Sequence, residues 1–93
     1  GGIPGNLSRV LPSGCAAMVE RASWTFPPLF ALLQEAGKVA EAEMLEVFNC
    51  GVGMIGALPA GEVDAVRAAA TTAGAESWVS GEVRAGAGDV RVA

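Results

Sequence analysis

The sequence contains no histidine, only two cysteines and few charged residues, which make up 17% of its 93 positions. Without histidine, the chain cannot hold a serine–histidine or cysteine–histidine pair, a zincin motif or a histidine general base. Cys15 and Cys50 lie far apart and lack the Cys-x-x-Cys spacing of a zinc or redox site, so we expect two buried free thiols in a reducing compartment. Any chemistry must therefore use carboxylates, backbone amides or groups supplied from outside the chain.

Cations are scarce and scattered along the chain. Six basic residues against ten acidic ones give a net charge of −4, and no basic stripe is present for a nucleic-acid backbone. No apolar run approaches the length that crosses a bilayer, and there is no signal-peptide pattern. The carboxylates lack the paired spacing of a metal site. We therefore predict a cytoplasmic protein with no nucleic-acid partner, no membrane partner and no metal ligands of its own.

Apolar residues dominate the composition instead. They make up 52% of the chain, far from the composition of disordered segments. At this length we expect one domain, burying roughly 60 to 65% of the surface of the unfolded chain. The apolar excess fits either a compact core or a face that meets another domain or subunit. Because the sequence begins "GGIPGN" without a methionine, we expect it to be part of a longer polypeptide.

The stretch "CGVGMIGALP", from Cys50 to Pro59, has the G-x-G-x-x-G spelling of a dinucleotide-binding loop. That loop needs a strand before its glycines and a helix after them, so that helix amides face the pyrophosphate. Here the preceding "AEAEMLEVFN" has helical spacing, and the following segment is short, apolar and stopped by Pro59. The order of elements is reversed, so we predict that this is not a dinucleotide site.

Hydrophobic spacing and turn residues predict an α+β domain. The predicted helices are one with Leu29, Leu32, Leu33 and Ala36 on one face and Gly37 as its left-handed stop, a second over Ala40–Phe48, and a third over Gly61–Ala73 with a buried stripe of Val63, Val66, Ala70 and Ala73. The predicted extended segments are Leu7–Leu11 after a Pro4-Gly5-Asn6 turn, Val52–Leu58, a strand within Ser77–Ala85, and Val90–Ala93 returning from a turn at Gly86–Asp89. Ala16–Val19 is predicted to be extended or irregular. A strand, helix and strand in succession also permit a parallel crossover pair.

Two stretches are more specific than their composition: "GGIPGNLSRVLP" at residues 1–12 and "FNCGVGMIGALP" at residues 48–59. They resemble the two signature segments in the C-terminal domain of the phosphoribosylformylglycinamidine cyclo-ligase family, also called aminoimidazole ribonucleotide synthetases. The "SW…PP…F…LQEAG" passage at residues 23–37 and "AESWVSGEV" at residues 75–83 fit the same family, so the resemblance covers nearly the whole chain. Other members of the same ATP-using superfamily, such as formylglycinamidine synthetase and selenophosphate synthetase, share the domain plan and are the alternative.

The resemblance implies a layered mixed sheet with packed helices, in the C-terminal, substrate-side portion of a two-domain enzyme. Such an enzyme uses ATP and Mg²⁺ to convert formylglycinamidine ribonucleotide to aminoimidazole ribonucleotide in purine biosynthesis, and works as a homodimer. The N-terminal domain of the family supplies most of the nucleotide site and the dimer contact. In relatives a histidine, an isoleucine, a threonine and a third glycine precede Gly1. We therefore expect residues 1–93 alone to bind no cofactor and to be inactive.

Eight residues of the two signature segments are candidates for binding substrate or phosphate: Gly1, Gly2, Gly5, Asn6, Arg9, Asn49, Gly51 and Gly53. The first three glycines can take positive φ, which lets consecutive amides converge on an anion, and Arg9 can add a bidentate phosphate contact. The alternative is a tight turn with Arg9 on the surface. Asn49 either caps the preceding helix or contacts a ligand, and the glycines after it let the backbone approach a ligand or another segment. The catalytic residues are not identified.

The remaining conspicuous residues have structural interpretations. We expect Trp24 and Trp78 in the core or at a domain contact, and Cys50 in packing rather than as a nucleophile. The acidic cluster of Glu41, Glu43 and Glu46 is predicted to be a solvated helix face. A function of another class is also open, namely a non-catalytic module that self-associates through its apolar surface.

Overall fold

The computed structural model describes all residues from 1 to 93. Four helices and three strands follow one another along the chain: α1 (Gly2–Val10), β1 (Cys15–Val19), α2 (Pro28–Gly37), α3 (Glu41–Val47), α4 (Val63–Thr72), β2 (Gly81–Ala85) and β3 (Val90–Val92). Single 3₁₀ turns lie at Arg21–Ser23 and Ala60–Glu62. No helix combines the length and the apolar character needed to cross a membrane.

The three strands form one mixed sheet in the order β2-β1-β3. The central strand β1 pairs antiparallel with β2, where Ala17 lies opposite Val83, and parallel with β3, where Ala17 lies opposite Val90. Side chains alternate across a strand, so Ala17, Val83 and Val90 share one face. The predicted α+β architecture with a mixed sheet is confirmed. The parallel pair is β1 with β3, not the strands before and after the third helix that the sequence permitted.

Two small hydrophobic clusters hold these elements together. The first joins α1 to the sheet through Ile3, Leu7, Ala17 and Val19, and the second joins α3 to the segments around it through Phe26, Met44, Leu45 and Cys50. Trp24 packs against both clusters, and its indole Nε1 donates a hydrogen bond to the Cys50 carbonyl at 3.0 Å. Trp24, which we expected in the core or at a domain contact, thus packs on both clusters while remaining partly exposed. Trp78 is half-buried, and its Nε1 has no hydrogen-bond partner.

The chain exposes more surface than a closed domain of its mass. Its accessible area is 6286 Å² and its radius of gyration is 14.1 Å. Monomeric proteins of 9.3 kDa average about 5,000 Å², and about 12 Å is typical at this length. Only nine of the 93 residues are buried. Of the two origins that the sequence left open for its apolar excess, the structure favours an apolar face over a compact core.

The first correction concerns residues 2–10, which form helix α1 rather than a turn and an extended segment. Pro4 stands in the first helical turn, where its missing N–H costs no hydrogen bond. The side chains of Asn6 and Ser8 bond back to the carbonyls of Gly2 and Gly5. Burial of Ile3 and Leu7, four residues apart, overrides the weak helix propensity of the intervening glycine and asparagine.

A second group of corrections concerns the strands. Residues 52–58 form no strand, because no other segment of the chain lies in position to pair with them. The strands β2 and β3, which the sequence suggested as neighbours across a turn, instead flank β1 on opposite sides. The turn predicted at Gly86–Asp89 is present, with Gly88 at a φ of 89°. Only distant pairing with β1 decides this order.

The helices α2 and α4 form where predicted but differ in detail. Lys38, with a φ of 51°, takes the left-handed position after α2 in place of Gly37. The leucine face of α2 is exposed, and only Phe30 and Gln34 turn inward. The stripe predicted to be buried on α4 is not, and Val66 is 50% exposed. Both helices have apolar faces that no other part of the chain covers.

Candidate functional site

The two signature segments meet across one open cleft of about 270 Å³. Helix α1 forms one wall, and the segment after α3 forms the other. The lining residues are Gly2, Ile3, Asn6, Leu7 and Val10 from the first wall, and Asn49, Val52, Gly53, Met54 and Ile55 from the second. Segments that lie more than 35 positions apart in the sequence are thus brought together by the fold, and we call this space the α1 cleft.

Gly2 fixes the position of α1 against α3. Its φ is 63°, and a Cβ built on it would overlap the carbonyl group of Leu45 near the end of α3. Only glycine permits both this backbone conformation and this close approach. The first turn of α1 is therefore held beside the end of α3, where the second wall of the cleft begins.

The second wall is held by a network of hydrogen bonds around Cys50. The Asn49 Oδ1 accepts from the Gly51 amide at 2.9 Å, and the Asn49 carbonyl accepts from the Val52 amide at 3.0 Å. Gly51, at a φ of 96°, lies against Pro27, which a Cβ would approach to 2.5 Å. Cys50 takes a φ of 51°, and its Sγ donates to the Met44 carbonyl at 3.4 Å. The glycine-containing segment is therefore a tight loop that follows helix α3, without the strand before it and the helix directly after it that a dinucleotide-binding loop needs.

Two asparagines give the cleft its polar groups. Asn6 Nδ2 donates to the Gly2 carbonyl at 2.8 Å, which leaves its Oδ1 free to accept a hydrogen bond. Asn49 uses its Oδ1 on the Gly51 amide, which leaves its Nδ2 free to donate. The amides in the first turn of α1 have no intrahelical acceptor, and Gly2 and Ile3 carry two of them at the cleft wall. The cleft thus presents neutral donors and one acceptor over an otherwise apolar lining.

Four of the eight candidate residues line this cleft, namely Gly2, Asn6, Asn49 and Gly53. The other four lie outside it. Gly1 is exposed at the start of α1 and Gly5 lies within the helix on another face, while Gly51 packs on Pro27. Arg9 is exposed in the last turn of α1, three residues beyond Asn6 on a neighbouring face of the helix. The structure therefore does not gather Gly1, Gly5 and Arg9 into one loop around an anion.

The sequence alone did not point to the apolar part of the lining. Ile3, Leu7 and Val10 recur at helical spacing, a signal that the Pro4-Gly5-Asn6 turn pattern obscured. Met54 and Ile55 have no such signal, since their position depends on the loop at Asn49–Val52. Both sets became recognisable only when α1 was placed opposite the loop.

The cleft does not fit a magnesium–nucleoside triphosphate. None of its lining residues is charged, so it offers no carboxylate for Mg²⁺ and no cation for a triphosphate. No group of three or more cysteine and carboxylate side chains gathers elsewhere in the chain. The only cation on α1 is Arg9. What the cleft can hold is a small, partly apolar ligand that exchanges hydrogen bonds with amides.

The acidic cluster is solvated, as predicted, and one member has a structural partner. Glu41, Glu43 and Glu46 are all exposed. Glu41 accepts from Arg21 Nε at 2.8 Å, and the Arg21 guanidinium lies over the Phe26 ring at 3.7 Å from its centroid. This pair ties the 3₁₀ turn to the start of α3.

Cys50 is expected to resist alkylation compared with Cys15. Desolvation by burial raises the pKa of the Cys50 thiol above its usual 9.0; nearby Arg21 opposes this shift and Glu41 adds to it. The thiol is fully buried, whereas Cys15 is partly exposed. With iodoacetamide at pH 8, we expect mass spectrometry to find Cys15 modified first and Cys50 only after the chain opens, which follows from burial and the scarcity of thiolate.

The same pKa shift predicts a loss of stability in alkali. An acid whose pKa is raised by folding stays protonated in the native state, so the unfolded state is favoured once the pH exceeds its own pKa near 9.0. The contribution of Cys50 is therefore fully present at neutral pH and is lost above about pH 9. A Cys50→Ala variant should show a smaller fall in melting temperature between pH 8 and pH 10. In the alkylation experiment, equal rates at Cys15 and Cys50 would contradict the burial of the Cys50 thiol and its raised pKa.

The comparisons with known proteins agree with this architecture. Residues 1–93 match the family described as AIR synthase related protein, C-terminal domain. The chain therefore belongs to this family, and the resemblance found in its two signature segments is confirmed.

Two curated relatives of this chain carry the name of one particular enzyme. A phosphoribosylformylglycinamidine cyclo-ligase from Symbiobacterium thermophilum is 49% identical over 85 residues, which cover 91% of this chain and 24% of that protein. One of the same name from Methylobacillus flagellatus is 45% identical over 92 residues, covering 98% of this chain and 27% of the relative. The chain thus spans about a quarter of the length of the curated relatives it matches.

Proposed function

We propose that this chain is the C-terminal part of a phosphoribosylformylglycinamidine cyclo-ligase, and that the α1 cleft contributes to the binding of its ribonucleotide substrate. The reaction is the ATP-dependent closure of the imidazole ring that gives aminoimidazole ribonucleotide from formylglycinamidine ribonucleotide. The observation that best supports this proposal is that the two signature segments form the two walls of one cleft. The chain that contains them is nearly half identical to two cyclo-ligases. The names of those relatives also favour this enzyme over the synthetases that share its domain plan.

The chemistry of the cleft supports a substrate-side role. A ribonucleotide offers hydroxyl, amide and phosphate oxygens, which the free groups of Asn6, Asn49 and the first turn of α1 can pair with. Arg9 lies outside the cleft on the neighbouring face of α1, and in this proposal its charge attracts a phosphate that projects beyond the cleft. Gly53 keeps the facing backbone bare of a side chain. These residues bind and orient substrate in this proposal, and the groups that perform the chemistry lie outside the chain.

ATP and Mg²⁺ then belong to the preceding part of the polypeptide. The uncharged lining of the α1 cleft does not suit them, and about three quarters of each relative lies outside the matched region. In this proposal residues 1–93 form the substrate-side portion of a two-domain subunit, the subunits form a homodimer, and the enzyme works in the cytoplasm. Residues 1–93 alone position the ribonucleotide but not ATP, so they do not catalyse the reaction.

The test uses the extended polypeptide, meaning this chain together with the residues that precede it in its reading frame. We expect it to form aminoimidazole ribonucleotide in an ATP-dependent manner, and residues 1–93 alone to form none. The variant Asn6→Asp in the extended polypeptide keeps the size of the side chain but places a negative charge in the cleft. Repulsion of the substrate phosphate should raise KM about tenfold or more.

The matched control is Ser8→Asp, which adds the same charge to the same helix. Ser8 is exposed, and its position two residues beyond Asn6 puts it on nearly the opposite side of α1. Its KM should stay within about twofold of the parent, because the new charge lies on the side of α1 away from the cleft and is screened by the intervening solvent. Equal effects of the two variants would remove the cleft from the site, and an extended polypeptide without ring-closing activity would overturn the proposed enzyme.

A further inference from the structure

The turn at Asn49–Val52, which places Asn49 at the α1 cleft, has an unfavourable backbone conformation. The Val52 amide donates to the Asn49 carbonyl across the turn, and the two central residues, Cys50 and Gly51, have φ values of 51° and 96°. Positive φ at both central positions is typical of a type I′ turn, in which glycine, asparagine and aspartate predominate. Cys50 is none of these, and a residue with a Cβ keeps such a conformation only where its surroundings hold it.

The Cys50 carbonyl is held by a single hydrogen bond. Its donor is the Trp24 indole Nε1 at 3.0 Å, and no other group of the chain donates to this oxygen. The two residues lie 26 positions apart in the sequence. The bond therefore fixes, from a distant segment, the peptide group between Cys50 and Gly51 in the middle of the turn.

The same peptide group binds the Asn49 side chain through its other end. Its N–H belongs to Gly51 and donates to Asn49 Oδ1 at 2.9 Å. A peptide group is planar, so its carbonyl and its N–H cannot turn independently of one another. Rotation of this group away from Trp24 would therefore also withdraw the donor from Asn49.

This arrangement decides which atom of Asn49 is available to a ligand in the cleft. Because the Gly51 amide occupies Oδ1, the side chain offers Nδ2 as a donor. Without the bond to Gly51, the Asn49 amide is free to rotate and present either atom. The cleft would then lose a donor of fixed orientation.

Trp24 is itself held in place from outside the cleft. Arg21 Nη1 donates to the Trp24 carbonyl at 2.9 Å, and the Arg21 guanidinium lies 5.0 Å from the centroid of the Trp24 ring. Trp24 also packs on both hydrophobic clusters, and it is not among the residues that line the cleft. Its effect on a bound ligand must therefore pass through the turn.

We propose that Trp24 is a positioning residue for substrate binding, whose indole N–H, acting through the Cys50–Gly51 peptide group, orients the Asn49 amide as a donor to the ribonucleotide. The inference rests on the proposed function, since it takes the α1 cleft to be part of the substrate site. It deepens that function by adding a residue that lies outside the cleft. If Trp24 were a packing residue only, its ring would matter and its N–H would have no effect on the substrate.

Steady-state kinetics of the extended polypeptide test this role. Trp24→Phe keeps an aromatic ring and removes the donor. We expect the KM for formylglycinamidine ribonucleotide to rise about threefold to tenfold, the size of effect of one hydrogen bond. The kcat should stay within about twofold and the KM for ATP should be unchanged, because a contact made equally in the ground state and the transition state affects KM alone.

A second variant separates the N–H from the size of the ring. Benzothienylalanine at position 24 keeps two fused rings and has sulfur in place of the indole N–H, so it should reproduce the raised KM of Trp24→Phe. Trp78→Phe is the matched control. Trp78 is half-buried and its Nε1 has no hydrogen-bond partner, so its replacement removes ring area without breaking a bond and should leave KM within about twofold.

A double-mutant cycle with Asn49→Ala tests whether Trp24 acts through Asn49. In the Asn49→Ala background, Trp24→Phe should change KM by less than about twofold, because the donor that Trp24 orients is already absent. Additive effects of the two substitutions would overturn the proposal. A benzothienylalanine variant with the KM of the parent would also overturn it, since ring packing would then explain the effect of Trp24→Phe.

Amide exchange distinguishes a failure of this inference from a failure of the proposed function. In the extended polypeptide, Trp24→Phe should speed the exchange of the Gly51 and Val52 amides about threefold to tenfold, because both are bonded within the turn, and Trp78→Phe should not. Faster exchange in a polypeptide without ring-closing activity would reject the cyclo-ligase function and retain the hold of Trp24 on Asn49. Ring-closing activity with an unchanged KM in Trp24→Phe would retain the function and reject the positioning role.

Discussion

Replacing Gly2 by alanine is expected to destabilise the chain by about 2–5 kcal/mol. The left-handed backbone costs a residue with a Cβ about 1–2 kcal/mol, and crowding in a packed contact adds about 1–3 kcal/mol. At Gly2 both apply, because the φ is 63° and a Cβ would meet the Leu45 carbonyl. Whole domains are stable by only about 5–15 kcal/mol, so the loss separates α1 from α3 and dismantles the α1 cleft.

The same substitution at Gly5 is the matched control. Gly5 lies within α1 with nothing near its Cβ position, and its φ is not positive. Alanine there should stabilise the helix by about 0.5–1 kcal/mol, since glycine has the greater backbone entropy to lose. Urea unfolding followed by circular dichroism measures both changes. If Gly2→Ala and Gly5→Ala had similar midpoints, the close contact of Gly2 with α3 would be wrong.

The second large effect is expected at Met44, the most deeply buried large side chain. It is 0% exposed in the cluster with Phe26, Leu45 and Cys50. Truncation to alanine removes its packing and leaves a cavity, at a cost of about 2–5 kcal/mol. In a chain with two small clusters, we expect this loss to lower the melting temperature by ten degrees or more, or to prevent cooperative unfolding altogether.

Met54 provides a control of the same residue type. It is 92% exposed, so Met54→Ala in residues 1–93 should change the stability by no more than about 0.5 kcal/mol. Thermal unfolding of both variants, followed by the near-UV circular dichroism of the two tryptophans, checks the comparison. A mild effect at Met44, equal to that at Met54, would mean that the second cluster contributes little to the fold.

Local signals predicted much of the secondary structure correctly. Helices α2 and α3 follow from apolar spacing, and β1 from a short extended run. Gly74, at a φ of 83°, ends α4 as predicted. The failures have one cause in common: at α1, at residues 52–58 and on α4, the conformation or burial depends on what lies alongside. Local propensity amounts to tenths of a kcal/mol per residue, and burial of side chains such as Ile3 and Leu7 outweighs it.

The sequence likewise indicated some of the residues that line the α1 cleft and missed others. The two signature segments supply both walls of the α1 cleft, which Gly2, Asn6, Asn49 and Gly53 line, and their role in binding stays a prediction. The proposed grouping of Gly1, Gly5 and Arg9 assumed a loop, and a helix turns those residues to different sides. The apolar lining required the positions of both walls.

The sequence by itself determined the family, the absence of histidine chemistry, the order of most elements and the two segments that form the cleft. These properties depend only on which residues are present and on their spacing along the chain, both of which are visible in the sequence. Only the tertiary structure decided that α1 is a helix, that β1 lies between β2 and β3, and that residues 53–58 have no partner. Each of these depends on the free energy of contacts between residues distant in the sequence, and that free energy is set only when the chain has folded.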